Sequence, residues 1–307
     1  MKILVLGAGA VGGYFGGRLA SAGRDVTFLV RPPRAALLAE NGLHVRSAYG
    51  DVDVPAPSTV TADAVEGPYD LVILSAKGYD LDSATDAIAP AVGPGTAVLP
   101  LLNGMRHLDL LEARFGAGSV LGGMCLISTV LRPDGSVDHL GEPHSLVHGE
   151  RAGGRSARSA AVQEALAGAG FDAVESDDVL QDMWEKWVFL ATAAGTTALM
   201  RAAIGDVVAA GGTPLIERLL DEVAGIAEEQ GRAPRPPALA QIHGTLTQAG
   251  SPMTASMLRD MESGARIEAD HVLGDLLARA GDRPVDVLRT VFVAAKSYEA
   301  RRTRERP

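Results

Sequence analysis

The chain has 307 residues, of which 47% are hydrophobic and 21% charged, so it can form the cores of two ordinary domains and is not a disordered chain. Its net charge of −10 disfavours binding to nucleic acid or to an anionic membrane surface, and we expect neither as a partner. The single cysteine, Cys125, excludes an intrachain disulfide and suits a reducing compartment, so we expect a cytoplasmic protein.

The first part of the chain alternates strand-like runs with helix-like segments. The strand-like runs lie at 3–6, 25–30, 71–74 and 97–99. Apolar runs without polar alternation indicate strands that are buried on both faces, as in a parallel sheet covered by helices. Further along, Pro133-Asp134-Gly135 predicts a turn between two extended stretches. The pattern predicts an α/β domain of the Rossmann type, with a parallel sheet, over residues 1–172.

After about residue 172 the strand signal fades and helix-like segments follow one another. They lie at 179–200, 215–230, 238–248, 253–261, 267–280 and 285–299. Prolines such as Pro234, Pro236 and Pro252 separate them, as expected at the ends of helices. The second half therefore predicts an all-α domain over residues 173–307.

A glycine-rich loop joins the first strand-like run to the first helix-like segment. The run Gly7-Ala8-Gly9-Ala10-Val11-Gly12 has the G-x-G-x-x-G spacing of dinucleotide-binding loops. In such loops the glycines permit a tight turn, close approach of a pyrophosphate, and close helix–strand packing. The N–H groups and the dipole at the start of the helix attract the phosphates. The predicted cofactor-binding residues are Gly7, Gly9, Ala10, Val11 and Gly12; a purely structural turn is the alternative.

The residue that follows the second strand-like run bears on the choice of cofactor. Enzymes that use NAD usually place Asp or Glu there to hold the ribose 2′-hydroxyl group. This chain has Arg31, followed by Arg34. A guanidinium suits the 2′-phosphate of NADP through a charge-assisted contact, so the position predicts NADPH. An ordinary surface arginine is the alternative.

Two ionisable residues of the second half are candidates for chemistry. Lys186 lies where the segment 179–200 becomes apolar on all sides, and no other charge follows it until Arg201. A partly buried ammonium can donate a proton with a tunable pKa, but a lysine that extends to solvent fits the pattern equally well. Glu268 begins a predicted polar helix face with His271 and Asp275, and by itself indicates a solvated carboxylate.

The histidines do not indicate a metal site. They are scattered along the chain, and no pair combines with acids at a spacing typical of metal ligands. We therefore predict no metal site.

Several short motifs resemble the ketopantoate reductase family, also called 2-dehydropantoate 2-reductases. They extend over nearly the whole chain in the family's order. The motifs are residues 2–12, Arg31, Ala76-Lys77, Asn103-Gly104-Met105, Trp184-Glu185-Lys186, Ser256-Met257-Leu258-Arg259-Asp260, and Glu268-Ala269-Asp270 with Gly274. Each motif alone is weak, but the set at these separations is specific.

The resemblance implies a Rossmann domain and a helical domain, with the active site in the cleft between them. It implies reduction of the C2 carbonyl of 2-dehydropantoate to pantoate by NADPH, as in pantothenate biosynthesis. Arg31 would contact the 2′-phosphate of NADPH. Lys77 and Asn103 would line the cofactor and substrate sites near the nicotinamide.

The resemblance also assigns roles in catalysis and substrate binding. Lys186 matches the family's catalytic lysine and Glu268 its catalytic-site glutamate, while Ser256 matches a serine that helps to hold the substrate. This assignment is chemically coherent because negative charge develops on the carbonyl oxygen as hydride arrives, and an ammonium can stabilise and protonate that oxygen.

Three positions depart from the family pattern and leave alternatives open. Asparagines common one and two turns after the lysine are replaced by Leu190 and Ala194, and another before Gly274 is replaced by Leu273. A reductase of a related, less hydroxylated 2-oxo acid is therefore one alternative, and a non-catalytic NADPH sensor is another. A small 2-oxo acid is the expected partner. A homodimer is our working expectation for the oligomeric state.

Overall fold

The computed structural model describes residues 1–305, in which the backbone forms two compact units. Unit 1 comprises Met1–Leu102 and His107–Leu180, and unit 2 comprises Asn103–Arg106 and the chain from Gln181 onward. The division lies beyond the predicted boundary at 172/173, because the residues that follow 172 form one more strand of a sheet in unit 1. Asn103, assigned by sequence to the first domain, belongs to unit 2.

Ten strands and twelve α-helices lie between residues 1 and 305. The strands are β1 (Lys2–Leu6), β2 (Asp25–Leu29), β3 (Leu43–Arg46), β4 (Val52–Val54), β5 (Ser58–Val60), β6 (Leu71–Leu74), β7 (Ala97–Pro100), β8 (Gly122–Leu131), β9 (Val137–Gly149) and β10 (Asp172–Glu175). The helices are α1 (Ala10–Ser21), α2 (Pro32–Asn41), α3 (Leu81–Ile88), α4 (Arg106–Phe115), α5 (Ala157–Leu166), α6 (Val179–Met200), α7 (Ile204–Ala209), α8 (Thr213–Glu229), α9 (Pro236–Leu246), α10 (Ser256–Glu262), α11 (Asp275–Arg279) and α12 (Asp286–Glu305). None of the helices in this part of the chain is long and apolar enough to cross a membrane.

Unit 1 contains a five-stranded parallel sheet in the order β5–β2–β1–β6–β7. In its centre β1 aligns with both neighbours, so that Val5 is paired with Phe28 on one side and with Ile73 on the other. All three side chains are fully buried, as expected for a sheet covered on both faces. The predicted α/β domain of the Rossmann type is confirmed.

A second sheet of unit 1 has the order β10–β9–β3–β4, with β8 paired to β9. The predicted turn at Pro133-Asp134-Gly135 joins β8 to β9: Gly135 has φ +87°, and the Asp134 carboxylate accepts a hydrogen bond of 2.9 Å from the Ser136 N–H group. The sheet as a whole is not predicted by the sequence. Strands of three or four residues, such as β3 and β4, are too short to show a hydrophobic period.

Helix α1 contacts strands of both sheets, and its glycines allow the close approach. A Cβ atom at Gly16 would lie 2.5 Å from the ring of Phe28 in the first sheet. A Cβ atom at Gly17 would lie 3.2 Å from Leu43 in the second. Glycine lowers intrinsic helix stability by about 1 kcal/mol per residue relative to alanine. Burial between two apolar surfaces offsets that loss.

Unit 2 is entirely helical in its described part, which confirms the predicted all-α second domain. The predicted single helix over 267–280 begins only at Ala269, and its first turn is a π turn at Asp270–Gly274 that leads into α11. The sequence predicts that His271 lies on a polar helix face with Glu268 and Asp275. This is wrong for His271, which is 5% exposed. The i→i+5 hydrogen bond from the Asp275 N–H group to the Asp270 carbonyl changes the direction of the side chains in this turn.

Candidate active site

The glycine loop of unit 1 connects the end of β1 to the start of α1. Gly7 has φ +91°, a conformation that favours glycine, and its N–H group donates a 2.9 Å hydrogen bond to the Leu29 carbonyl. A Cβ atom at Gly12 would lie 2.0 Å from the Gly7 carbonyl oxygen. At Gly9 no protein atom lies within 4 Å of the corresponding position. The loop is therefore packed against protein at Gly12 and open at Gly9.

This geometry fits a dinucleotide pyrophosphate. The loop lies at the carboxyl end of β1, the central strand of the sheet. The chain continues to β2 on one side of β1 and later adds β6 on the other side, and dinucleotides bind at such reversals of strand order. Gly9 precedes the first turn of α1, whose N–H groups have no partner within the helix. A phosphate that approaches the open side at Gly9 meets those N–H groups and the positive end of the helix dipole.

The two arginines after β2 differ in their surroundings. Arg34 donates hydrogen bonds to the Ala8 carbonyl at 3.0 Å and to the Gly135 carbonyl at 2.9 Å, so it supports the glycine loop. Burial lowers the pKa of Arg34. The side chain of Arg31 is 77% exposed and forms a 3.0 Å ion pair with Asp80. Arg31 is therefore the arginine that can contact a cofactor.

Lys77 lies close to this ion pair along the chain. It follows β6 and is exposed, and its carbonyl accepts a 2.9 Å hydrogen bond from the Asp80 N–H group. Arg31 and Lys77 thus follow β2 and β6, the two neighbours of β1, with Asp80 joined to both. Unit 1 brings these two predicted cofactor-site residues to the same edge of the sheet as the glycine loop.

Unit 2 contains a small, partly open pocket, for which an empty volume of about 250 Å³ includes open solvent. It is lined by Asn103, Leu190, Ala194, Ser256, Met257, Asp260, Glu268 and Val272. Three of the predicted substrate residues, Asn103, Ser256 and Glu268, are thus brought together. Two of the three positions that depart from the family pattern, Leu190 and Ala194, line the same pocket.

Lys186 is not among the lining residues of this pocket but belongs to the same strip of α6. Residues four apart on a helix lie one above the other, so Lys186, Leu190 and Ala194 form one row along α6. The last two line the pocket, and the half-buried Lys186 lies one turn before them.

Asp260 is a pocket residue to which the sequence analysis assigns no role. It lies four residues after Ser256 on α10, so both side chains occupy one face of that helix. The same i,i+4 spacing from a predicted substrate residue is the signal that could have identified it. With Glu268 it gives the pocket two carboxylates.

Behind the pocket, His271 is buried against the short segment that carries Asn103. Burial lowers its pKa, although the nearby Glu268, a hydrogen bond with the Asn103 backbone, and Asp275 act in the opposite direction. The ring is therefore neutral at pH 7. A Cβ atom at Gly104 would lie 2.9 Å from the His271 carbonyl oxygen, so the segment and the π turn are in close contact.

The residue before Lys186 holds the start of α6 in place. Glu185 is buried and accepts hydrogen bonds from the Arg235 N–H group at 2.8 Å and from its guanidinium at 2.7 Å. Burial alone would raise the pKa of Glu185, but these hydrogen bonds bring it below its usual value. Glu185 is thus an ionised structural residue that fixes α6 to the start of α9.

Two family models match the chain. The model described as ketopantoate reductase PanE/ApbA matches residues 3–153, and the one described as ketopantoate reductase PanE/ApbA C terminal matches residues 178–299. Together they cover most of both units.

Individual relatives are similar over the whole length. The uncharacterized oxidoreductase YkpB of Bacillus subtilis (strain 168) is 38% identical over 304 residues, which is 98% of this chain and 99% of that protein. The structure of 2-dehydropantoate 2-reductase from Geobacter metallireducens GS-15 has a TM-score of 0.87 at 27% identity, covering 97% of this chain and 99% of that one. D-mandelate dehydrogenase with NADH and anilino(oxo)acetate also has a TM-score of 0.87, at 21% identity, covering 99% of this chain and 100% of that one; it shares the fold.

The fold and these comparisons define an oxidoreductase with a Rossmann-type unit. The chain belongs to the ketopantoate reductase family. No group of three or more His, Cys, Asp or Glu residues within 1–305 is arranged to hold a metal ion.

Two glycine variants should separate cofactor binding from folding. Gly9→Ala adds a methyl group on the open side of the loop at a φ of −83°, which alanine adopts readily, so thermal unfolding should not change. The methyl group should keep the pyrophosphate away from the backbone and weaken cofactor binding by about tenfold or more. Gly12→Ala should instead destabilise the protein by about 1–3 kcal/mol through overpacking. Unchanged NADPH affinity in Gly9→Ala, measured by nucleotide fluorescence, would contradict this interpretation of the loop.

Proposed function

We propose that the chain reduces the C2 carbonyl of a 2-oxo acid with NADPH, and that the acid is 2-dehydropantoate, which becomes pantoate. The observation that carries the proposal is the pocket of unit 2, in which Asn103, Ser256 and Glu268 meet beside the helical row that begins with Lys186. Family membership supplies the reaction class. Bound NADPH supplies the hydride, and the protein positions the acid and provides the proton.

The residues of the pocket have separate tasks in this proposal. As C2 is reduced, negative charge develops on its oxygen. The Lys186 ammonium donates a hydrogen bond to that oxygen and then the proton, which leaves a hydroxyl group on the product and a neutral amine on the enzyme. Glu268 favours the charged form of Lys186 and accepts a hydrogen bond from a substrate hydroxyl group. Asn103 and Ser256 hydrogen-bond the polar end of the acid.

The choice of NADPH rests on Arg31. The helix α2 that follows it begins with Pro32 and Pro33, which have no N–H group, so the start of this helix offers fewer backbone donors to a phosphate. A 2′-phosphate at the end of β2 would therefore depend on the guanidinium of Arg31. The neighbouring Asp80 is the group that could hold a 2′-hydroxyl group of NADH instead.

Arg31→Ala should weaken NADPH binding by about ten- to a hundredfold, because one charge-assisted contact contributes roughly 1.5–3 kcal/mol. NADH binding should remain nearly unchanged, since NADH has no 2′-phosphate. Titration of both cofactors checks the difference. An equal loss for both would mean that Arg31 supports the fold and does not recognise the phosphate.

Asp80→Asn is the matched variant, because it removes the carboxylate and leaves Arg31 in place. NADPH affinity should be retained or increased, since a negative charge beside the 2′-phosphate is lost. A fall in NADPH affinity in this variant would contradict the expectation.

Lys186→Ala should lower kcat far more than it weakens NADPH binding, because the proton donor acts mainly in the transition state. Groups of this kind typically contribute about 10²–10⁴-fold. Lys2→Ala, a change in a lysine of β1 remote in sequence from every pocket residue, should keep wild-type kcat. A Lys186→Ala enzyme with full kcat at saturating substrate would remove Lys186 from the mechanism.

A panel of 2-oxo acids tests the reaction itself, with NADPH oxidation as the measurement. A non-catalytic NADPH sensor would bind the cofactor and turn over none of the acids. The presence of both Lys186 and Glu268 argues against that alternative, because a sensor has no use for a proton donor.

The second candidate is a reductase of a 2-oxo acid with an apolar side chain. It is favoured by Leu190 and Ala194, which line the pocket where family members commonly have amides. D-mandelate dehydrogenase has the same fold, so the fold alone does not select ketopantoate. A hydroxyl group buried against these two residues without a partner would cost about 1–3 kcal/mol.

For the wild type we expect kcat/KM for an apolar 2-oxo acid within about tenfold of the value for ketopantoate, because Leu190 and Ala194 cannot hydrogen-bond the hydroxyl group. Leu190→Asn should shift the ratio towards ketopantoate, and Leu190→Ala, which changes size without adding an amide, should not. Steady-state kinetics of the three proteins with both acids provides the comparison. A wild-type preference for ketopantoate of about a thousandfold or more would show that other residues recognise the hydroxyl group.

A further inference from the structure

The π turn of unit 2 links the pocket to the rest of its helix. It begins two residues after Glu268, and the Val272 N–H group donates a 2.9 Å hydrogen bond to the Glu268 carbonyl. Glu268 and Val272 both line the pocket, whereas His271 between them is buried. π turns inside helices are rare and are found often at functional sites. The direction in which Glu268 leaves the backbone therefore depends on how this turn is held.

The turn is held by a tryptophan of α6. The indole N–H group of Trp187 donates a 2.9 Å hydrogen bond to the Val272 carbonyl. The two residues are 1% and 3% exposed, so water does not compete for this bond. The indole has one N–H donor and no acceptor, and here that donor meets a backbone atom of the turn itself.

Trp187 is the neighbour of Lys186, and this places the bond next to the proposed proton donor. Lys186, Leu190 and Ala194 form one row of α6, of which the last two line the pocket. Trp187 lies on the adjacent row, turned about 100° around the helix. The hydrogen bond from Trp187 to the π turn therefore fixes how α6 is rotated about its axis and where it lies along that axis. This sets the position of Lys186 relative to the pocket wall formed by Glu268 and Val272.

We propose that Trp187 is a positioning residue for the reaction, which keeps the Lys186 ammonium in register with the π turn that carries Glu268. The inference rests on the proposed function, since it assigns to Trp187 the placement of that proton donor. Membership of this class of reductases does not by itself imply any role for Trp187. The proposal is that the indole N–H group is needed for full activity, in addition to the bulk of the ring. Small errors in the placement of a catalytic group can reduce the rate by about a hundredfold.

The chain contains a matched control, because it has two tryptophans, Trp184 and Trp187. They lie on the same helix with ring centroids 4.9 Å apart, and Trp184 is 5% exposed. Trp184→Phe removes the same atoms from the same packed pair but leaves the bond to Val272 intact. Trp187→Phe removes the bond as well.

With the acid that wild type reduces best, Trp187→Phe should lower kcat by about ten- to a hundredfold relative to Trp184→Phe. The two variants should have similar melting temperatures and similar Kd for NADPH, and KM should change by less than kcat does. A purely structural role would lower the melting temperature and leave the kcat of the folded enzyme unchanged. If Trp187→Phe retains kcat within about twofold of Trp184→Phe, the inference is wrong.

A finer substitution covers the case in which Trp187→Phe does not fold. In the Trp184→Phe background Trp187 is the only tryptophan, so β-(3-benzothienyl)alanine can replace it globally and exchange the N–H group for sulfur at nearly constant shape. The same fall in kcat is expected, and full kcat would overturn the inference. If the wild type reduces none of the 2-oxo acids tested, the proposed function fails instead, so the two failures are distinguishable.

Discussion

Unit 1 depends on how closely α1 approaches its neighbours at the carboxyl end of β1. Gly12 lies against the Gly7 carbonyl, and the Ser75 hydroxyl group, which donates a 2.7 Å hydrogen bond to the Leu6 carbonyl, occupies the adjoining space. Further along, Gly13 approaches Val137 of the second sheet, where a Cβ atom would be 3.0 Å from a methyl group. The packing that joins two sheets through one helix thus also fixes the start of that helix, where its N–H groups are available to an anion.

The pocket of unit 2 poses an electrostatic requirement. Asp260 and Glu268 contribute two carboxylates, and a 2-oxo acid brings a third negative charge. His271 does not offset them, because burial lowers its pKa and leaves the ring neutral at pH 7. Glu185 is occupied by Arg235. In the proposed mechanism the ammonium of Lys186 supplies a compensating positive charge and is the form that a general acid needs.

Sequence reasoning identifies what has a strong local signal. The buried parallel strands, the glycine loop and the helical second half follow from apolar runs and glycine spacing. The second sheet does not, because β3, β4 and β10 are too short to show a period, and β9 pairs with β3 and β10, which lie elsewhere in the chain. The π turn does not, because a uniform 3.6-residue repeat assigns His271 to the surface. By pattern alone, Lys186 fits a partly buried proton donor and a solvent-exposed lysine equally well, and Glu268 indicates a solvated carboxylate. Their roles in catalysis are implied by the family resemblance. The sequence pattern indicates only that Trp187 is a core residue. Its hydrogen bond is not predictable from the pattern, because the partner Val272 lies 85 positions away.

The composition of the pocket limits which part of a substrate can face which wall. Asn103, Ser256 and the two carboxylates provide hydrogen-bonding groups, whereas Leu190, Ala194, Met257 and Val272 provide none through their side chains. In the proposed function, the carboxylate and carbonyl of a 2-oxo acid lie towards Asn103, Ser256 and Lys186, and the rest of the acid meets the apolar wall. A hydroxyl group there loses its bonds to water without replacement, at a cost of about 1–3 kcal/mol, unless the substrate turns it towards Glu268. Selectivity for a hydroxylated acid therefore depends on the reach of Glu268, whose backbone the π turn holds in place.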